Sequence, residues 1–347
     1  MENSKKQQEI MFLNTLLCVL VVFIHCASHP VSNYIKPSLP YTLTFIPWRL
    51  SAFVVQGFIF LSGMKLFLKP QNDFSYEKFI SKRIKTVLIP YVFAVLIYYI
   101  YFMRNGYFPF SIKDIVFYVL SGSLVSPFYF IVAIMQFYLL MPLWIKMTEK
   151  TKPLPSLIIS LMVMLAAKHY IPQFLANFEK IASYNDRIFT TYLIYWVAGC
   201  YAGKNYASFC TFMKKCFVPF ALIFIALSAA DVIFTYKAFV YGQYFPFLEN
   251  LHMVYCIGAT AFTFSLGTMI KNITFIRYID AVSFNMYLFH CLVIFIANDF
   301  MARLGITSIT VQFALRIILA YGVTFTLCIV YQNIKSKIKS RASRAVS

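Results

Sequence analysis

Long apolar runs separated by short basic turns occupy almost the whole chain. Ten runs stand out, at 10–28, 45–66, 86–103, 128–146, 155–171, 188–203, 216–235, 248–270, 279–298 and 308–332. As helices rising ~1.5 Å per residue, such runs have the length to cross a hydrocarbon core ~30 Å thick. They lack the strict apolar–polar alternation of a closed β-barrel, the other backbone arrangement that lipid tolerates. The pattern therefore predicts an all-α, polytopic membrane protein with about ten transmembrane helices, organised as one integral-membrane domain over residues 1–347. Pro37, Pro40 and Pro47 stiffen the first outer loop. The stretch from Pro109 to Gly122 predicts a short re-entrant or interfacial helix. No internal repeat or low-complexity segment is visible.

Composition agrees with this pattern. The chain is 61% hydrophobic and only 12% charged, against about 25% charged in soluble domains. The net charge of +19 then reads as membrane topology rather than nucleic-acid binding. With the N-terminus in the cytoplasm, 21 of the 31 basic residues fall in inner turns and tails and eight in outer loops. That bias follows the positive-inside rule and places both termini in the cytoplasm, with 335–347 as a basic cytoplasmic tail. The first run is too long for a signal-peptide core and lacks a convincing cleavage site, so it is read as retained. The eight cysteines are scattered, without a CxxC pair, and read as small buried apolar residues.

Polar groups inside such runs are the candidate chemistry. His25 lies about 22 Å along the first run, where an ionisable side chain is costly to keep. Arg49, Gln136, His290 and Arg316 fall at similar outer-middle depths. Taken singly, each is equally explained as a snorkelling or helix-bridging residue. Convergence of all five on one layer points to a polar cavity. No carboxylate is expected near mid-membrane, because Asp231, Glu249 and Asp299 read as outer span ends. That absence weighs against a proton-driven carrier. His25 and His29, at i and i+4, share a helix face, yet no acidic or cysteine companion has metal-site spacing, so no metal is expected. His169 and His252 read as ordinary interface residues.

A histidine with a nearby cation in a protected cavity has what acyl transfer to a hydroxyl needs: a base for the proton and a donor for the developing oxyanion. Lys82, Arg83 and Lys85, at an inner mouth, would suit the phosphates of a cytosolic thioester such as coenzyme A. Plain positive-inside charge accounts for them equally well.

The first run ending in His25, FIFLSGMKLFL (Phe58–Leu68), YEKFISKRIKTVLIPY (Tyr76–Tyr91), FYFIVAIMQFYLLMP (Phe128–Pro142) and SFNMYLFH (Ser283–His290) occur in order. In this the chain resembles integral-membrane acyltransferase family 3, the ten-helix O-acyltransferases of bacterial surface glycans. It looks nearest the branch of the poly-N-acetylglucosamine intercellular-adhesion membrane proteins. The resemblance implies His25 as catalytic base and a basic acyl-CoA-contacting motif around Arg83. It departs from the family at Asn14, where an arginine is usual, and at Thr86, where a second arginine is usual. Arg49 is accordingly expected to take the missing electrostatic role beside His25. The implied activity moves an acyl group, most simply acetyl, from acyl-CoA to a hydroxyl of a cell-surface polysaccharide or its lipid-linked precursor. The implied setting is a bacterial plasma membrane, with acyl-CoA as co-substrate, a glycan acceptor, membrane lipid as neighbour, and no bound cofactor. The alternatives are a polysaccharide exporter or flippase whose aromatic residues (25 Tyr and 38 Phe) stack on sugars, and a structural subunit of a glycan-synthesis complex.

Overall fold

A computed structural model describes residues 7–270 and 274–346, without the side chains of 335, 336 and 338–346. Lys5, Lys6 and Lys271, which carried part of the charge bias, lie outside the described residues. The described residues form helices and no strands. In chain order these are α1 (Gln8–Asn33), α2 (Leu39–Leu50), α3 (Val54–Phe67), α4 (Tyr76–Arg83), α5 (Ile89–Arg104), α6 (Ile112–Ser121), α7 (Tyr129–Leu139) and α8 (Met141–Lys150). They continue as α9 (Pro153–Leu175), α10 (Leu193–Lys204), α11 (Tyr206–Lys215), α12 (Phe217–Tyr241), α13 (Leu248–Met269), α14 (Thr274–Arg303) and α15 (Ile309–Val346).

Among the described residues, eight helical stretches are long and apolar enough to cross a membrane, or nine if α6 and α7, bent by 57° across their break, make one span. The difference from ten has local causes. The 128–146 run divides into α7 and α8, where Pro142 allows a helix to begin but not to continue. The 188–203 run opens on a 3₁₀ turn at Phe189–Tyr192, leaving only the 12 residues of α10. The 45–66 run bends at residues 51–53, after Pro47, yet still counts as one of the eight, over Leu39–Phe67. The short helix expected before the fourth run is α6, closed by Gly122 in the left-handed region (φ 64°). The expected tail is the end of α15, which continues as helix to Val346.

The helices group into two compact units. One contains the residues up to Val54 together with those from Phe212 onward, and the other is Val55–Thr211. In the first unit α1 is the buried centre, packed against α2, α13, α14 and α15. Polar cross-links fix its register. Asn14 Nδ2 donates to Asp280 Oδ1 (2.9 Å) and Ser283 Oγ (2.8 Å), Thr15 Oγ1 to the Ile276 carbonyl (3.1 Å), and Tyr321 Oη to the Val19 carbonyl (2.7 Å). In apolar surroundings such bonds add to helix association because the groups have few other partners.

The second unit has an aromatic centre in which Phe137 stacks on Trp196 at 4.5 Å. The α3 and α10 backbones approach closely at Gly199–x₃–Gly203. A Cβ on Gly199 would sit 2.1 Å from the Phe60 carbonyl oxygen, and one on Gly203 2.3 Å from that of Met64. Small residues at this spacing let two helices touch backbone to backbone. Gly199→Ala should therefore lower the melting temperature of the purified protein, because the backbone clash exceeds the ~1 kcal/mol that alanine gains in a helix. Gly322→Ala, whose Cβ would meet nothing within 4 Å, is the control and should be neutral or mildly stabilising. Equal melting temperatures for both variants would contradict the close packing.

Candidate active site

The cross-links from α1 to α14 bring His25 and His290 together, with ring centroids 5.2 Å apart and planes at 43°. His290 is fully buried and His25 half-buried. The His290 Nδ1 lies 2.9 Å from the Met286 carbonyl oxygen, so Nδ1 carries the proton and Nε2 presents its lone pair. That Nε2 is 3.3 Å from the Cys291 sulfur. Thus one imidazole is held in a fixed tautomer beside a second that is less deeply buried.

Arg316, on α15, lies along the same stretch of α1. Its carbonyl accepts from the Cys26 thiol at 3.6 Å. The side chain is buried at 3% exposure, and its partners are neutral amides: Nε donates to Asn298 Oδ1 (2.6 Å) and Nη2 to Gln312 Oε1 (3.2 Å). Nη1 meets no acceptor among the described residues, and neither does the buried Nδ1 of His29. A buried guanidinium without a carboxylate partner is a strong donor for any anion that forms nearby.

Arg49 has a different partner from the one expected. Its Nε and Nη2 bind Asp231 Oδ2 and Oδ1 at 2.7 and 2.8 Å, a two-pronged ion pair. His252 Nδ1 approaches the same carboxylate at 3.2 Å, and its Nε2 lies 3.5 Å from the Cys256 sulfur. Three sequence expectations change here. Arg49 is neutralised by Asp231 and is no free cation for His25. Asp231 is fully buried within α12, because that helix runs to Tyr241, past the expected end at 235. His252 is a member of the ion-pair cluster rather than a plain interface residue.

In the second unit the basic stretch is split by helix periodicity. Lys78, Lys82 and Lys85 line one open groove with Glu77, Ser81 and Thr86. Arg83 faces elsewhere, its guanidinium 4.9 Å from the Phe79 ring and 5.1 Å from the Tyr138 ring, a cation–π clamp. Gln136 belongs to this unit, and its amide is consumed locally. Its Nε2 donates to the Arg187 carbonyl (2.6 Å), and its Oε1 accepts from the Phe189 N–H (3.2 Å). Gln136 is therefore a cross-link to the segment before α10, whereas His25, His290 and Arg316 gather in the first unit.

The acyltransferase domain model Acyl_transf_3 matches residues 9–332. The chain belongs to this acyltransferase family. Relatives in Staphylococcus aureus strains Mu50 and MSSA476 are each 26% identical over 308 residues, covering 84% of this chain and 83% of theirs; both are described as probable poly-beta-1,6-N-acetyl-D-glucosamine export proteins. No solved structure matches.

Within this acyltransferase family the departure at Asn14 acquires a local setting. Where an arginine is usual, Asn14 hydrogen-bonds Asp280 and Ser283. Two features of the chain carry no meaning in the sequence alone. Cys291 sits next to His290 in the chain, and Gly199 and Gly203 have the spacing of a close helix contact. Both were visible as short-range patterns, and only the assignment of helix faces gives them meaning.

Proposed function

We propose that the chain is a polysaccharide O-acyltransferase of a bacterial plasma membrane, with acyl-CoA as donor. The acceptor hydroxyl oxygen attacks the thioester carbonyl carbon while His25 takes its proton. The carbon–sulfur bond then breaks, and the coenzyme A thiolate receives that proton. The observation that carries this reading is the half-buried imidazole of His25 in a chain whose family is defined by acyl transfer. Arg316, rather than Arg49, is the cation suited to the developing oxyanion, because its Nη1 has no acceptor of its own. The groove of Lys78, Lys82 and Lys85 suits coenzyme A phosphates.

Mass spectrometry of surface glycans tests the proposal in the strain that carries the gene. Deletion should remove an acyl mass from the glycan, and the wild-type chain should restore it. An unchanged glycan mass with less glycan outside the cell would instead support export, the second reading. Two observations favour that reading: the printed description of the relatives and the buried Arg49–Asp231–His252 cluster, a type of group that proton-coupled carriers use.

The groove makes a separable prediction. Lys82→Gln with Lys85→Gln should raise the KM for acyl-CoA roughly tenfold with little change in kcat, as expected when charge-assisted contacts to a bound phosphate are lost. Arg83→Met should instead lower the yield of folded protein, because it empties the clamp between Phe79 and Tyr138. A lowered kcat with unchanged KM in the lysine variant would remove the groove from donor binding.

A further inference from the structure

Three metal-ligating groups converge in the first unit. The ligand atoms of His25, His290 and Cys291 all lie within 4.8 Å of one another. We propose that these side chains bind one soft d¹⁰ cation, Cu⁺ or Zn²⁺, and that its occupancy inhibits the enzyme by engaging the His25 ring.

Geometry supports the site. Bonds of ~2.0–2.1 Å to nitrogen and ~2.3 Å to sulfur in a tetrahedral site put ligand atoms roughly 3.3–3.6 Å apart. His290 Nε2 and Cys291 Sγ are already 3.3 Å apart, so two ligands stand ready, and the His25 nitrogen, within 4.8 Å of the others, needs to approach by at most roughly 1.5 Å. The Met286 carbonyl holds Nδ1–H of His290 and leaves Nε2 as the free lone pair, the carbonyl–histidine pairing that orients metal ligands. Cys291 and His290 are buried while His25 is half-buried, so His25 is the side from which an ion enters.

Charge favours soft ions. On binding, the Cys291 thiol loses its proton to solvent and the thiolate bonds the metal. With two neutral imidazoles, one thiolate balances Cu⁺, and Zn²⁺ is balanced when a hydroxide takes the fourth position. Carboxylates that would recruit a hard cation are absent from the cluster, and thiolate with imidazole selects softer ions.

Binding and inhibition are tested separately. The full chain, purified in detergent and stripped with a chelator, would be titrated with Cu⁺ under anaerobic conditions against a chromophoric competitor, and with Zn²⁺ in a parallel arm. The expected result is one ion per chain in at least one arm, with X-ray absorption showing one sulfur and two imidazole nitrogens. Cys291→Ser and His290→Gln should each weaken binding at least ~tenfold. Should either variant elute as aggregate on size exclusion, the absorption spectrum of the wild-type complex decides. A first shell without sulfur, less than one tight equivalent in both arms, or binding equal in wild type and folded variants overturns the site. The inhibitory part rests on the role proposed for His25 and predicts loss of acyl transfer at one equivalent of ion; full transfer by the loaded protein overturns that part. Because binding is read without any turnover, a chain that binds the ion yet transfers nothing even when stripped of it counts against the acyltransferase reading and leaves the metal site standing.

Discussion

Replacing His25 with alanine should reduce acyl transfer by ~10²–10⁴-fold, the range attributed to a positioned acid–base group. The loss should come without loss of the fold, since the half-buried ring makes none of the cross-links that hold α1 in register. Those belong to Asn14, Thr15 and the Val19 carbonyl. The check is complementation of a deletion strain, read as glycan-bound ester per amount of membrane protein. Ester restored to the wild-type level by His25→Ala would remove the imidazole from the chemistry. Arg316→Gln should also depress transfer, because it removes the guanidinium whose Nη1 is unsatisfied.

The second large effect concerns stability. Arg49→Met removes the partner of a fully buried carboxylate, and breaking a buried pair in this way costs ~3–5 kcal/mol. His252 Nδ1, 3.2 Å from Asp231, is the contact left to that carboxylate. Arg49→Met combined with Asp231→Leu removes both charges and should regain most of the lost stability. Thermal melting of the three purified proteins, monitored by size exclusion, reads the cycle. A double variant no more stable than Arg49→Met would mean that the ion pair is not the source of the loss. Acyl transfer measured on the same three proteins separates the readings of Arg49, because the double variant should retain transfer if Arg49 acts only through Asp231.

Hydropathy and charge were enough to identify an all-helical membrane chain, and the five motifs in order were enough to indicate its family. The breaks were harder to foresee. Pro47 and Pro142 lie inside continuous apolar runs, and hydropathy alone does not say whether a proline kinks a span or ends it. Asp231 reads as a span end in the sequence because it lies four residues from the end of the 216–235 run. The α12 helix runs past that end and leaves the carboxylate deep inside. Depth along the helices was a fair guide for His25 and His290, which do meet. It gave no sign of the partner of Arg49, which is Asp231, because depth carries no information about which neighbour a side chain faces. The basic stretch at 82–85 reads as one patch in sequence, but helix geometry sends Arg83 to an aromatic clamp and the two lysines to an open groove.

The central claim is tested most directly with purified protein in lipid nanodiscs, radiolabelled acetyl-CoA, and glycan extracted from the deletion strain as acceptor. The wild-type chain should move label into the glycan in an alkali-labile ester, and His25→Gln should leave the glycan unlabelled. Equal labelling by both proteins, or a folded wild-type chain that transfers no label while a deletion strain lacks the ester, would contradict the account.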